Sequence, residues 1–218
     1  MKKKNVLMMA MSLVLVAVIA VGGTLAYLTS NSGTLTNTFT VGEGYGTEED
    51  PGFYLDETKK VGDTNPTKKG EGDANRLKAP GTNEYEPMSI GDTLYKDPTF
   101  HLVDGPDSYV FAKITGVDAL KEKGFLFDAI NADWMPVQVA EGKVDGYYCY
   151  KKTTVTAGTE MAPLFTTVTL NPALTEMPDM SSLDVDIVGV AIQAKNLTDW
   201  EAAWEALETD APNFYPAA

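Results

Sequence analysis

Few residues in this sequence are suited to build a catalytic or metal centre. Among 218 residues there is one histidine, His101, and one cysteine, Cys149. Zinc peptidases commonly bind their metal through two histidines in an H-E-x-x-H motif, and this motif is absent. His101 stands between Phe100 and Leu102 in an alternating pattern, which favours a structural role in a strand. Cys149 lies among tyrosines, where a buried and inert thiol is the usual state.

The sequence also gives no specific signal for catalysis by a serine nucleophile or by a pair of carboxylates. No G-x-S-x-G motif occurs, and His101 has no identifiable serine partner. Paired carboxylates would suit glycoside hydrolysis, but 31 acidic residues make any chosen pair uninformative. We therefore predict that the protein is not an enzyme, and we assign no catalytic residue, no cofactor and no metal ligand.

The polar segment 43–87 raises the question of a calcium site. Its spacing does not match the D-x-D-x-D-G pattern with a closing glutamate that calcium loops use. A long, charged surface loop inserted in the domain is the favoured interpretation, with Phe53, Tyr54 and Leu55 as the one short strand candidate. The acidic residues concerned are Asp56, Glu57, Asp63, Glu71 and Asp73.

The charge balance excludes several partners. The formal net charge is −14, with 17 basic against 31 acidic residues. Nucleic-acid binding requires a basic footprint, and docking on anionic lipid requires a basic patch. We expect neither. The single cysteine also excludes an internal disulfide, so an exported form of the chain depends on its core for stability.

The first 26 residues have the order of a secretory signal peptide. Three lysines, Lys2 to Lys4, precede an uncharged apolar run from Val6 to Ala26. We predict cleavage between Ala26 and Tyr27, so the membrane is contacted only through the signal peptide before cleavage. An uncleaved anchor is the alternative, because the run is long enough to span a bilayer. Cleavage would remove the three lysines and change the net charge from −14 to −17.

Residues 27–42 follow the predicted cleavage site and have the pattern of a strand. Leu35, Phe39 and Val41 point to one side, and threonines at the positions between them point to the other. This segment is a candidate donor strand, meaning a strand that completes the sheet of a neighbouring subunit.

The remainder, residues 88–218, alternates between short strand patterns and turn signals. Clear strand candidates are 108–117, 134–140, 164–170 and 185–194, the last being the most apolar and expected to be central. Such spacing predicts one all-β sandwich domain spanning 27–218. Near the end, Trp200, Ala203, Trp204 and Leu207 recur at helical spacing, which predicts a short amphipathic helix whose aromatic stripe packs on the sandwich. Thr198 is the expected helix cap, with Glu201 completing a capping box.

Four segments resemble the TasA/camelysin family, in family order. The first is GGTLAYLTSNSGTLTNTFTVG, beginning at Gly22, which keeps the family's G-G-T-x-A-[YF] opening and its N-x-F-x-x-G continuation. The others are 96–102 with its Asp-Pro-Thr, 146–165 with its Gly-Tyr-Tyr, and 188–194 followed by 200–207. Ser30-Asn31 stands where the family more often has an acidic residue.

The resemblance implies a jelly-roll-like β-sandwich secreted by a Gram-positive bacterium through a SipW-type signal peptidase. We expect a TasA-like, self-associating structural protein of the cell surface or biofilm extracellular matrix. The physical hypothesis for its assembly into filaments is donation of the N-terminal strand, residues 27–41, to the sheet edge of a neighbouring subunit. A monomeric cell-surface binding or adhesion module is the alternative. A camelysin-like metallopeptidase is disfavoured by the single histidine.

Overall fold

The computed structural model describes most of the chain from residue 51 onward and two short pieces before it. For residues 29–32 only the backbone is described. The predicted cleavage site, Ala26 and Tyr27, and the candidate donor residues Leu35, Phe39 and Val41 lie outside the described residues. The described residues are 29–32, 45, 51–72, 76–79, 81, 83, 85–178 and 184–216.

The described chain forms twelve strands in three antiparallel sheets, with two short helices. This confirms the predicted all-β class, while the jelly-roll connectivity stays a prediction. The strands are β1 (Thr29–Ser32), β2 (Phe53–Glu57), β3 (Leu77–Lys78), β4 (Thr93–Tyr95), β5 (Thr99–Leu102), β6 (Ser108–Thr115), β7 (Phe125–Phe127), β8 (Trp134–Val139), β9 (Gly146–Tyr150), β10 (Thr159–Glu160), β11 (Thr167–Leu170) and β12 (Asp186–Gln193); the helices are α1 (Val117–Glu122) and α2 (Trp200–Asp210).

The five-stranded sheet has the order β1-β12-β6-β9-β8 and is covered on both faces. On β6, Val110 and Ala112 face the main core, whereas Tyr109 and Phe111 face a second apolar cluster beneath α2. Burial on both faces explains why apolar residues follow one another at 109–112 of β6 instead of alternating with polar ones. The predicted central strand, β12, is interior to the sheet but second from its edge.

The four-stranded sheet has the order β10-β5-β2-β3, and two of its strands, β2 and β3, lie in the segment predicted to be a surface loop. On β2, Phe53 and Leu55 are 1% exposed and belong to the main core. Asp56 and Glu57, also on β2, are 3% and 1% exposed. The surface-loop interpretation was therefore wrong for these two residues, which belong to the sandwich itself.

The third sheet has the order β4-β11-β7, and α1 lies between β6 of the five-stranded sheet and β7 of this one. Gly116 precedes α1 with φ of 92°, and a Cβ there would lie 2.0 Å from the Asp184 carbonyl oxygen. Only glycine fits this turn without strain. Two carboxylates hold the neighbouring backbone in place by hydrogen bonds. Asp145 accepts from the backbone amides of Gly116 and Asp118. Asp118 in turn accepts from the backbone amides of Val144 and Asp145.

Helix α2 lies where it was predicted, but its cap differs. Asp199 is the N-cap, and its carboxylate accepts a hydrogen bond of 2.8 Å from the Ala202 amide. The Thr198 hydroxyl donates to Asp199 instead of capping the helix, so the Thr198 cap was wrong. Trp204 packs against four aromatic rings, those of Phe111, Tyr147, Phe214 and Tyr215, as the predicted stripe requires.

Within the part of the chain that the structure describes, neither helix has the length and apolar character needed to cross a bilayer. The predicted signal peptide, residues 1–26, lies outside that part.

Candidate assembly edge and buried charge network

The strand that follows the predicted cleavage site occupies one edge of the five-stranded sheet. β1 pairs antiparallel with β12 of the same chain, with Thr29 opposite Ile192 and Ser32 opposite Gly189. β1 also approaches β2 of the neighbouring sheet. It therefore closes the side of the sandwich where the two sheets meet.

β12 is longer than the strand that covers it. Its inner side pairs with β6 over all eight residues, Asp186 to Gln193. Its outer side pairs with β1 over four, Gly189 to Ile192. Among the described strands nothing pairs with the outer side of 186–188. Unpaired backbone groups on such an edge are a template for a further strand.

Tyr45 anchors the chain between β1 and β2. It is fully buried in the main core, and its hydroxyl lies 2.8 Å from the Ser108 hydroxyl oxygen on β6. The Tyr45 carbonyl accepts a hydrogen bond from the Gly52 amide. Twelve residues, 33–44, separate this anchor from β1. At most they span roughly 40 Å, because an extended chain covers about 3.3–3.6 Å per residue.

The opposite edge of the same sheet is formed by β8, which is poorly suited to accept a strand. Pro136 has no N–H to donate, and the pairing of β8 with β9 shifts register between Pro136 and Gln138. Proline and bulges are two devices that keep edge strands from pairing with other chains. The two edges thus differ in their capacity for edge-to-edge contact.

The sequence did not single out the features that define this edge. Tyr45 lies in the glycine-rich run Gly-Glu-Gly-Tyr-Gly, and a lone aromatic residue there was the available signal for an anchor. The outer edge of β12 had no local signal, because strand order depends on pairing between distant segments.

A network of charged side chains is buried on the other face of β2 and β5. Its centre is Arg76, just before β3, whose guanidinium donates to Asp56 at 2.7 Å and to Asp97 at 2.8 Å. It also donates to the hydroxyls of Thr58 and Thr99 and to the Asp97 carbonyl. Arg76 thereby joins the edge strand β3 to its neighbour β2 and to β5 beyond it.

The single histidine belongs to this network. His101 Nε2 lies 2.9 Å from Asp56 Oδ1, and its ring stacks on Tyr54 with a centroid distance of 4.6 Å. The two rings face each other because Tyr54 and His101 are paired across β2 and β5. The predicted structural role of His101 agrees with this placement.

The network changes the acidity of Asp56. Burial raises the pKa of this carboxyl, but hydrogen bonds from His101 and Arg76 outweigh burial and leave the pKa below its ordinary value of 3.8. The Arg76 guanidinium shows the complementary effect, since burial lowers its pKa while Asp97 and Asp56 raise it further, and the net direction is upward. Both groups therefore stay charged in neutral solution.

A second buried ion pair lies close by, on the core side of β2. Lys96 Nζ is 2.5 Å from Glu57 Oε2, and the two side chains are 10% and 1% exposed. The Tyr85 ring lies 5.5 Å from Lys96 Nζ. Burial raises the pKa of Tyr85, and the charges of Glu57 and Asp97 raise it further, so this phenol stays neutral.

These groups do not form a recognisable catalytic or metal centre. No group of three or more His, Cys, Asp or Glu side chains within the described residues is arranged to hold a metal ion. Cys149 is fully buried, and burial raises its thiol pKa to about 12, which disfavours the reactive thiolate. The arrangement stabilises the fold and positions its edges.

Comparison with protein-family models, with curated proteins and with solved structures found no match to this chain. The resemblance to the TasA/camelysin family therefore continues to depend on the four sequence segments alone. What the family implies about export and assembly stays a prediction.

Proposed function

We propose that this chain is a secreted structural protein of a Gram-positive cell surface or biofilm matrix, similar to TasA, and that it assembles by N-terminal strand donation. A SipW-type signal peptidase would release the amino terminus at Tyr27. The released strand would then pair with β12 of a neighbouring subunit. No enzymatic activity, cofactor or nucleic-acid partner belongs to this proposal.

The observation that carries the proposal is the position of β1. It is an edge strand, it directly follows the predicted cleavage site, and it is separated from its anchor at Tyr45 by twelve residues. The same backbone hydrogen bonds form whether the strand comes from the same chain or from another. Strand addition of this kind is a common mode of recognition.

Exchange of this strand would produce an open assembly. The donating part, β1, and the accepting part, the outer edge of β12, are different surfaces of one chain. Such a head-to-tail interface generates a ring if its rotation closes and a filament if it does not. The blocked β8 edge would limit pairing at the other side of the sheet.

The alternative is a monomeric surface module in which β1 stays in its own sheet. The pairing of β1 with β12 within one chain is the specific observation that favours it. Light scattering of the purified mature chain at high concentration separates the two: growth of large particles supports donation, and a stable monomer supports the module.

The test of the proposal is a chain from which residues 27–41 are removed. We expect the truncated chain to keep its β-rich circular dichroism and to form no filaments by electron microscopy. A synthetic peptide of residues 27–41 should bind the outer edge of β12 and form a stable one-to-one complex with the truncated chain. A matched peptide carrying Ser30→Pro and Asn31→Pro is the control, because proline removes the donors that a strand needs. Filaments formed by the truncated chain would contradict the proposal.

A further inference from the structure

Glu57 and Lys96 form a buried ion pair in which one carboxylate oxygen has no hydrogen-bond partner among the described residues. Glu57 ends β2, Lys96 directly follows β4, and the two side chains meet at 2.5 Å between Nζ and Oε2. The amine is thereby held against the carboxyl group in a site from which bulk water is excluded. Since a carboxyl C–O bond is about 1.2 Å long, Nζ lies within about 3.7 Å of the Glu57 Cδ.

Glu57 is the less well satisfied of the buried acids. Its Oε1 is buried and has no hydrogen-bond partner among the described residues. Asp56 and Asp97, by contrast, each receive hydrogen bonds from Arg76 and from a further group. A buried carboxylate oxygen without a donor is costly, and the cost falls if the charge is removed.

We propose that Glu57 and Lys96 are joined by an intramolecular amide bond. Lys96 Nζ first gives a proton to the carboxylate, and the neutral amine then attacks Cδ. The Nζ–Cδ bond forms, one Cδ–O bond breaks, and the departing oxygen leaves as water with two of the three ammonium protons. The product is a neutral amide, and the reaction needs no oxidant, metal or second substrate.

The placement of the two groups favours this condensation. Fixing the amine and the carboxyl group side by side replaces a bimolecular encounter, and well-oriented intramolecular reactions reach effective molarities of about 10⁵–10⁸ M. The neutral Tyr85 ring adds no competing charge on the Lys96 side.

The chain contains its own control for this reaction. Lys60 and Glu86 form an ion pair through the same two functional groups in close contact, but their side chains are 23% and 37% exposed. Water reaches both charged groups there. Contact alone would join both pairs, whereas burial selects only the pair at Glu57.

The bond would have a clear structural consequence. It would close a covalent loop from residue 57 to residue 96 and tie β2 to the chain leaving β4. A disulfide cannot supply such a cross-link in this chain, because Cys149 is its only cysteine. Cross-links of long loops stabilise chiefly by restricting the unfolded chain. The inference does not depend on filament formation.

The test is the mass of the full chain, purified and denatured before mass spectrometry. We expect the mass to lie below the sequence mass by one water, and we expect proteolysis to yield a branched peptide joining Glu57 to Lys96. Loss of water confined to a linear peptide, as from a succinimide, would contradict the proposal. So would a chain at its full sequence mass, or a branch between Lys60 and Glu86.

Three variants test whether Glu57 and Lys96 are the residues that form the bond. Lys96→Arg keeps the positive charge without the nucleophilic amine, so its mass should equal its sequence mass. Glu57→Gln removes the carboxylate that accepts the Lys96 proton, so its mass should also equal its sequence mass. Lys60→Arg is the matched surface control and should lose one water like the unmodified sequence. A branched peptide in Lys96→Arg, or none in Lys60→Arg, would overturn the assignment.

Discussion

Two edge strands of this molecule are attached in opposite ways. β1 has four residues paired to β12, and a twelve-residue connection separates it from its anchor at Tyr45. β3 has only two residues, but the adjacent Arg76 donates five hydrogen bonds into β2 and its surroundings. The longer strand depends on backbone pairing, and the shorter one depends on a partly exposed cation that pairs with two buried carboxylates.

This difference bears on which edge the proposed strand donation would use. Backbone hydrogen bonds do not require particular side chains, so under that proposal β12 would accept β1 from its own chain or from another chain. The bonds of Arg76 require two particular carboxylates and two particular hydroxyls at fixed positions. We therefore expect exchange at the β1 edge and not at the β3 edge.

The largest expected effect comes from removing the cation at the β3 edge. Arg76→Met leaves Asp56 and Asp97 buried without their common partner, and breaking a buried pair in this way costs about 3–5 kcal/mol. We expect the free energy of unfolding, measured in urea, to fall by that amount. The triple variant Arg76→Met, Asp56→Asn, Asp97→Asn should recover part of the loss. An unchanged stability in Arg76→Met would show that the β3 edge is held in another way.

A smaller and more selective effect is expected at the β1 edge. Adjacent amides of a strand point to opposite sides, so only one of Ser30→Pro and Asn31→Pro removes a hydrogen bond to β12. That variant should lose about 1–3 kcal/mol of pairing free energy and most of its filament mass. The other variant is its matched control and should assemble well, as measured by sedimentation. Equal behaviour of both variants would argue against pairing of β1 at this edge during assembly.

The strands predicted from the sequence carry a local signal, whereas the burial of Asp56 and Glu57 depends on charged residues elsewhere in the chain. Alternation and apolar content placed β6, β8 and β12 close to their observed bounds, since these signals are local. The segment around Asp56 and Glu57 was assigned to a solvated loop because acidic residues are rarely buried. The cations that compensate them, Arg76 and Lys96, are 20 and 39 residues away along the chain. No local pattern contains such a pairing, and the assembly edge was hidden for the same reason.

Acid should weaken the β3 edge in a defined range. The folded-state pKa of Asp56 lies below its ordinary value of 3.8, so its contribution to stability is complete above 3.8 and is lost as the pH falls through the folded-state pKa. Thermal unfolding as a function of pH should show a decline below 3.8. Asp56→Asn should show a shallower decline in the same range. A slope that Asp56→Asn leaves unaltered would assign the acid sensitivity to other groups.

Charge screening should act on β1 exchange without loosening β3. Removal of residues 1–26 would leave a net charge of −17, so subunits repel one another. Added salt should therefore speed assembly, and acid should do so as the carboxylates lose their charge. Light scattering that falls as salt is added would contradict this expectation.

The smallest effect is expected at β8, the opposite edge of the five-stranded sheet. Pro136→Thr restores an amide donor to β8, although the register shift beside it remains. We expect a modest increase in lateral bundling of filaments in electron micrographs, with little change in their growth rate. Loss of filaments in this variant would indicate that β8, instead of β12, contributes the accepting edge.

The most direct test of strand donation uses the register of β1 and β12. Ser30 lies opposite Ala191, so cysteines at these positions are placed to form a disulfide when the strands pair. Ser30→Cys and Ala191→Cys are made in separate chains, which are mixed and then oxidised; the buried Cys149 is not expected to react. Donation predicts a disulfide between residue 30 of one chain and residue 191 of the other, identified by peptide mapping. If that bond forms only when both cysteines are in one chain, β1 stays in its own subunit and the proposal is wrong.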